Sequence, residues 1–301
     1  MYLPYLRGKQ FELIAVRELA QIVSSNVFKP IIEPVRDNLT PLFRTLDQLD
    51  KAEITPIIVI NPTVGDLTES SSSLLQELSG KNYLPCIVVR NGDIEQARKL
   101  IGLVTGKFVV QICDGIGHDA LELARDAELT IVDEGDALVA TAALEKVVLL
   151  RDSFKKQKRN ADYGKESSFP SPHKALKFSP PHNVIGFSDY TVIGSEYSES
   201  GGPAYVVTIH LSYIDYDRFD SIFVRHYSSE DDGTPTNPAG KFIEALNKLI
   251  ADYEGGIFYE SSAIEEYKKL HANEHFPGLG QVKKLSIKHH VETVCTYLEG
   301  E

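Results

Sequence analysis

The chain has 301 residues and a formal net charge of −12 at pH 7, with 42% hydrophobic and 25% charged residues. This length is enough for one large core or two small ones, and the composition is that of a folded rather than a disordered protein. The negative charge argues against a protein that coats nucleic acid over its whole surface, although a local basic patch is compatible with it.

The three cysteines, Cys86, Cys113 and Cys295, follow no metal-binding or disulfide spacing. An odd number of cysteines without such a framework is typical of a reducing compartment. The opening MYLPYLRGKQFE lacks the basic and then apolar order of a signal peptide, and no apolar run reaches the roughly 20 residues of a membrane-spanning helix. The sequence therefore predicts a soluble, cytoplasmic protein without membrane contact.

Up to about residue 190, short runs rich in β-branched residues alternate with helix-compatible amphipathic stretches. Several runs, such as PIIVI and FVVQI, are apolar throughout, as expected of parallel strands that helices cover. Eight such units without an early glycine-rich phosphate fingerprint favour a (β/α)8 TIM-like barrel over a doubly wound open sheet. The predicted strands span residues 2–6, 29–35, 55–61, 84–90, 107–114, 129–133, 146–152 and 183–189.

Two segments depart from this repeat, so we divide the chain into a barrel (1–190) and a C-terminal elaboration (191–301). Residues 154–182 are polar, basic and rich in Pro and Ser, and we expect them to replace the helix before strand 8 and to lie over the barrel mouth. The elaboration is predicted to be a β-hairpin and helices packed on the barrel rather than an independent domain. Its predicted strands are 203–214 and 221–228, and its predicted helices are 240–253, 262–271 and 281–298.

Each predicted barrel strand has a polar or charged residue at or near its carboxyl end. The carboxyl ends of barrel strands meet at one face, the mouth, where barrel enzymes place their active sites. We therefore consider the strand-end residues a candidate ligand-binding ring, although polar residues also mark strand ends for purely structural reasons. The ring consists of Arg7, Glu33, Asn61, Arg90, Asp114, Asp133, Arg151, Asp152 and Asp189.

The chemistry of this ring leaves three interpretations open. The carboxylates of Glu33, Asp114 and Asp133 are oxygen ligands of the kind that Mg²⁺ or Mn²⁺ accepts. The arginines could hold a phosphate or carboxylate of a small anionic or nucleotide-like ligand. Alternatively, acids and arginines pair with one another in a structural network. No predicted strand ends in a histidine and no Ser/His/Asp or Cys/His arrangement stands out, so the sequence does not establish whether the protein is an enzyme.

A basic run, residues 155–159 (KKQKR), lies inside the polar insertion. Such a run could contact nucleic acid or an acidic partner, but charge runs are usually solvated surface. It is the one place where the sequence suggests nucleic-acid contact by this chain itself.

Four segments resemble the bacterial beta-protein family, which is similar to phage-encoded beta proteins. They are YLPYLRGKQFELIAVRELA, PIIEPV, FSDYTVIGSEYSESGGPAYVVTIHLSY and HFPGLGQVKKLSIKHHVETVC. The closest likeness is to the subgroup encoded beside a small nuclease-like protein, in mobile or defence-associated gene neighbourhoods. The resemblance implies a barrel over most of the chain and a protein partner, and it assigns no catalytic residue.

The leading functional hypothesis is a component of a two-gene bacterial defence or mobile-element system. In this hypothesis the barrel mouth binds an anionic or nucleotide-like ligand, and the protein acts with the nuclease-like product of a neighbouring gene. The alternatives are a stand-alone metal-dependent phosphodiesterase or hydrolase that uses Mg²⁺ or Mn²⁺, and a catalytically silent interaction barrel.

Overall fold

The computed structural model describes residues 1–180, 182–199, 201–253 and 255–300. The chain forms two compact units, which we call the barrel unit (Met1–Asp152 with Pro172–Asp189) and the second unit (Ser153–Ser171 with Tyr190–Glu301). Each unit has its own cluster of buried hydrophobic side chains. Within the described ranges, no helix is both long enough and apolar enough to cross a membrane.

The barrel unit contains an eight-stranded sheet in which every neighbouring pair is parallel. The strands follow chain order, and a bridge between Tyr2 and Phe187 joins the first strand to the last, with the Leu3 amide donating to the Phe187 carbonyl at 2.8 Å. The predicted (β/α)8 TIM-like barrel is therefore confirmed. Its strands are β1 (Tyr5–Leu6), β2 (Ile31–Ile32), β3 (Ile57–Val59), β4 (Leu84–Val89), β5 (Val109–Ile112), β6 (Leu129–Asp133), β7 (Val147–Arg151) and β9 (Val184–Asp189).

Among the described residues, seven α-helices accompany the barrel strands. The barrel strands are largely buried, and all three residues of β3 are completely buried. This is the reason why the strands are apolar runs rather than alternating ones. The helices are α1 (Gln10–Leu19), α2 (Thr40–Lys51), α3 (Ser71–Glu77), α4 (Ile94–Leu103), α5 (His118–Ala124), α6 (Ala137–Ala143) and α7 (His173–Phe178).

The segment 154–182 differs from the expected polar loop. Its first part contains a strand, β8 (Glu166–Phe169), which belongs to the second unit. Its last part contains α7, which contacts β9 and buries His173 and part of Leu176. The expectation that the insertion replaces the helix before the last barrel strand is therefore wrong, because the short stretch HKALKF supplies enough apolar surface for one and a half turns. A position over the mouth stays a prediction.

In the part that the structure describes, the second unit has a three-stranded antiparallel sheet and three α-helices. The sheet order is β10 (Thr208–Asp215), β11 (Ser221–Ser228) and β8, and the helices are α8 (Pro238–Tyr253), α9 (Ser262–Ala272) and α10 (Leu279–Glu299). The predicted hairpin and three helices are present, with their bounds shifted by a few residues. The unit differs from a mere elaboration of the barrel because it has its own sheet and its own core, which includes Leu211, Phe242, Tyr267 and Leu285.

Candidate functional site

Glu33, at the end of β2, is completely buried, and both of its carboxylate oxygens are occupied by protein groups. Oε2 accepts a hydrogen bond from the Tyr5 hydroxyl at 2.9 Å and forms an ion pair with Arg7. Oε1 accepts from the Thr63 amide at 2.6 Å and from the Thr63 hydroxyl at 2.8 Å. This carboxylate ties three barrel segments together, and that use competes with metal binding.

Asn61 extends the sheet hydrogen bonding beyond the end of β3. Its side-chain amide donates to the Val88 carbonyl at 2.8 Å, and its side-chain oxygen accepts from the Val88 amide at 2.8 Å. The side chain therefore takes the place of a backbone peptide beside β4. Both of its polar atoms are engaged in this role, which makes it a structural residue of the barrel.

Asp133 and Arg151 stabilise the turn that follows β6. Asp133 Oδ1 accepts from the Gly135 amide at 2.8 Å and caps the short 3-10 turn Glu134–Asp136. Arg151 forms an ion pair with Glu134, a residue that the sequence did not single out. The partners of both ring residues thus lie in the turn that follows β6.

The remaining ring residues lie in different environments. Asp189 is buried and accepts from the Tyr2 hydroxyl at 2.7 Å, where the barrel closes. Arg90 and Asp114 are exposed and have no ion pair among the described residues, and Asp114 has a left-handed backbone with φ of 62°. Asp152 is exposed.

The predicted metal ligands Glu33, Asp114 and Asp133 are not brought together. In the described ranges, a single group of three or more His, Cys, Asp or Glu side chains has its ligand atoms within 4.8 Å of one another, namely His118, Asp119 and Glu122. All three are exposed on the short helix α5, and exposed clusters of this kind are common without an ion. The mouth thus resembles the structural network of acids and arginines more than a metal centre.

The second unit contains a cavity of about 870 Å³ that the sequence did not predict. Its walls come from residues 154–163, residues 201–210 and the first two turns of α10. The inner wall is made of buried side chains and is mostly apolar: Phe154, Val192, Val206, Val207, Val282 and Ser286. The volume lies in the range of about 300–1,000 Å³ that is typical of small-molecule sites.

The rim of this cavity carries four basic side chains: Lys156, Lys158, Arg159 and Lys283. Asp231 is the one acid among the lining residues that the structure describes. Lys156 pairs with Glu196 at 3.0 Å, and Arg159 pairs with Asp162 at 2.6 Å. Lys158 is exposed and has no ion pair among the described residues. Four of the lining residues are therefore basic and one is acidic, although two of the four cations already pair with acids outside the lining.

A cluster of aromatic and imidazole rings lies beside the inner wall. The centroid of the Tyr163 ring is 4.7 Å from that of His210 and 4.6 Å from that of His226, and Phe154 is 5.2 Å from His210. Burial, and secondarily the neighbouring His226, lowers the pKa of His210 to about 3. Burial likewise lowers the pKa of His226 to about 4. Both imidazoles are consequently neutral at physiological pH.

Two loops at the rim are fastened by one buried ammonium group. Lys241 of α8 donates to the Tyr205 carbonyl at 2.7 Å and to the Thr234 carbonyl, and it pairs with Asp232 at 2.7 Å. Tyr205 precedes β10, is 45% exposed and lines the cavity. Lys241 is therefore a positioning residue for the rim.

Sequence signals for this cavity were partly visible. Three of its rim cations belong to the basic run 155–159, which the sequence had already singled out. His210 and His226 were missed because nothing in the sequence gives the register of the hairpin, which alone places them opposite each other. No family model, no curated protein and no solved structure matches this chain, so the site rests on its own geometry.

Proposed function

We propose that the protein binds a small anionic, phosphate-bearing ligand in the cavity of the second unit. The observation that carries this proposal is the placement of four basic side chains around a cavity of about 870 Å³ in a chain of net charge −12. Phosphate oxygens accept charge-assisted hydrogen bonds from lysine and arginine, and arginine can hold them in a bidentate manner.

The apolar inner wall limits the class of ligand. A free inorganic anion would leave the buried valine and phenylalanine surface unused, whereas a ligand with an anionic end and an apolar or planar end would cover both parts of the cavity. The first turns of α10 add to the attraction for the anionic end, since the amino end of a helix carries a partial positive charge. This supports a nucleotide-like ligand rather than a metal or a neutral metabolite.

Charge reversal at the rim tests this proposal with a matched control. Lys158 and Lys99 are both exposed lysines without an ion pair in the described ranges, and Lys99 lies on α4 of the barrel unit. We expect pyrophosphate at low ionic strength to bind the wild-type protein and to bind Lys158→Glu about tenfold more weakly. Lys99→Glu should retain the wild-type affinity in the same calorimetric titration.

Two outcomes would overturn the proposal. The first is that neither pyrophosphate nor any nucleoside phosphate binds the wild-type protein. The second is that Lys158→Glu and Lys99→Glu lower the affinity equally, because the effect would then come from net charge rather than from this rim.

The likeness to the beta-protein family supports a second proposal, that this protein acts together with a nuclease-like protein encoded by a neighbouring gene in a bacterial defence system. Its support is the set of resembling sequence segments given above. Co-expression and co-purification test it: we expect a stoichiometric complex, and two proteins that elute separately at micromolar concentration would contradict it.

A further inference from the structure

A line of hydrogen bonds runs from the cavity across the three-stranded sheet. His210 on β10 lines the cavity, and its Nδ1 lies 2.8 Å from Nδ1 of His226 on β11. His226 Nε2 lies 2.9 Å from the hydroxyl oxygen of Ser167 on β8. Each of these residues sits on a different strand of the sheet, so the line is fixed by backbone pairing.

The hydrogen bonds do not fix which nitrogen of each imidazole carries the hydrogen. With both imidazoles neutral, either His210 Nδ1 donates to His226 Nδ1 and His226 Nε2 donates to Ser167, or both bonds run in the opposite direction. In the first arrangement His210 Nε2 is a bare acceptor, and in the second it carries a hydrogen. Ser167 accommodates both arrangements because a hydroxyl can donate or accept.

His210 Nε2 is the polar atom of this side chain that remains for the cavity. Its Nδ1 is engaged by His226, whereas in the described residues Nε2 has no hydrogen-bond partner. His210 is a half-buried residue that lines the cavity, and its ring lies next to the rings of Phe154 and Tyr163. The inner end of the cavity thus combines apolar walls, aromatic rings and one hydrogen-bonding atom that can act as donor or acceptor.

We propose that this inner end binds the heteroaromatic base of a nucleotide, with His210 Nε2 hydrogen-bonded to the base edge and the rim cations on the phosphate. The inference rests on the proposed function, which concerns the anionic end alone. A base edge presents ring nitrogens and exocyclic groups to which a neutral imidazole of either tautomer is complementary. An acyl chain would leave Nε2 without a partner, and a second phosphate would lack a cation at this end.

Calorimetry with a truncated ligand separates the two proposals. We expect at least one of AMP, GMP, CMP and UMP to bind the wild-type protein about tenfold more tightly than ribose 5-phosphate, because stacking of a base contributes this much or more. His210→Phe keeps a ring of similar shape but removes Nε2. It should lower the preference for the nucleotide about fivefold, because the base loses one hydrogen bond while the stacking ring is kept.

Equal affinities of all four nucleotides and ribose 5-phosphate would overturn this inference while leaving the proposed function intact. If neither these phosphates nor pyrophosphate binds, both proposals fail. If the His210→Phe variant does not fold, an NMR measurement on the wild-type protein tests the inference instead. The ¹⁵N chemical shift of His210 Nε2 should move when the tightest-binding of the four nucleotides is added and should not move with ribose 5-phosphate, and an unchanged shift with the nucleotide contradicts the inference.

Discussion

The Nδ1 atoms of His210 and His226 lie 2.8 Å apart across the pair of strands β10 and β11, so one of them carries a hydrogen and the other presents a lone pair. Both rings also contact Tyr163. A protonated imidazole has no lone pair on either nitrogen, so protonation of both rings would break this bond and set two positive charges against each other. The pair therefore favours the neutral state of both residues.

This relationship predicts that neither His210 nor His226 titrates between pH 8 and pH 5. The pKa values of about 3 and about 4 lie below that interval, mainly because of burial. Long-range ¹H–¹⁵N spectra of the folded protein should show neutral tautomers for both residues throughout the interval. The urea-unfolded chain is the control, in which histidine has its ordinary pKa near 6.5. Titration of either ring near pH 6.5 in the folded protein would contradict the geometry.

The lowered pKa of a third histidine, His289, leads us to expect that acid destabilises the core of the second unit. His289 Nε2 donates to the Ser212 carbonyl at 2.8 Å, and Nδ1 accepts from the Ser261 hydroxyl at 2.8 Å, which joins α10 to β10 and to the start of α9. Burial lowers the pKa of His289 to about 4, below the unfolded value of 6.5. The unfolded chain therefore binds more protons between these two values, and stability falls as the pH falls through this window.

We expect His289 to account for a loss of about 2–3 kcal/mol in the free energy of unfolding between pH 7.5 and pH 4.5. In urea titrations at intermediate pH values, His289→Leu should be less stable than wild type at pH 7.5 by about 2 kcal/mol, because Ser212 and Ser261 each lose a partner. The gap between the two proteins should narrow as the pH is lowered. A gap that stays constant with pH would show that His289 is not the group responsible.

Glu33 provides a test of whether the barrel mouth is structural. We expect Glu33→Gln to lower the free energy of unfolding by about 3 kcal/mol, because Arg7 loses the charge of its buried partner. Asp133→Asn, an exposed carboxylate whose replacement can still accept from the Gly135 amide, is the control and should change stability by less than about 1 kcal/mol. Mg²⁺ and Mn²⁺ should not raise the unfolding midpoint of the wild-type protein. A metal-dependent rise that Glu33→Gln abolishes would restore the metal-site interpretation.

Asn61 and Asn91 form a matched pair at neighbouring strand ends. Asn61 makes two hydrogen bonds with the backbone of Val88, whereas the exposed Asn91 makes one with the Asp114 carbonyl. We expect Asn61→Ala to cost about 2–3 kcal/mol in the free energy of unfolding, because both backbone groups of Val88 lose a partner. Asn91→Ala should cost less than about 1 kcal/mol. Similar losses for both variants would argue against the sheet-extending role of Asn61.

The barrel was predictable from sequence because its strands are buried on both faces. Runs such as PIIVI and CIVV have no polar alternation, and that pattern is typical of parallel strands between helices. The bounds were less predictable: β1 and β2 have two residues each, although the apolar runs around them are longer. The length of a strand depends on how many of its residues pair with both neighbouring strands. This number is set by the stagger of the strands in the closed barrel, which cannot be read from a local sequence pattern.

The basic run 155–159 was visible in the sequence and supplies three cations of the cavity rim, but the cavity itself and its histidines could not be predicted. Strand bounds read from the sequence would place residue 210 opposite residue 225, whereas the observed register places His210 opposite His226. A shift of one residue turns a side chain to the other face of a sheet. The turn that sets this register includes Phe219 and Asp220, and both have left-handed backbones. Their residue types do not predict this conformation.

Photo-crosslinking with 8-azido-ATP and 5-azido-UTP, followed by peptide mass spectrometry, tests most directly where the ligand binds. Our account predicts labelled peptides from residues 154–163, residues 201–210 or the first two turns of α10, with labelling suppressed by excess unmodified nucleotide. Labelled peptides that carry the mouth residues Arg7, Arg90 or Arg151 would contradict it. So would the absence of any labelling that unmodified nucleotide suppresses.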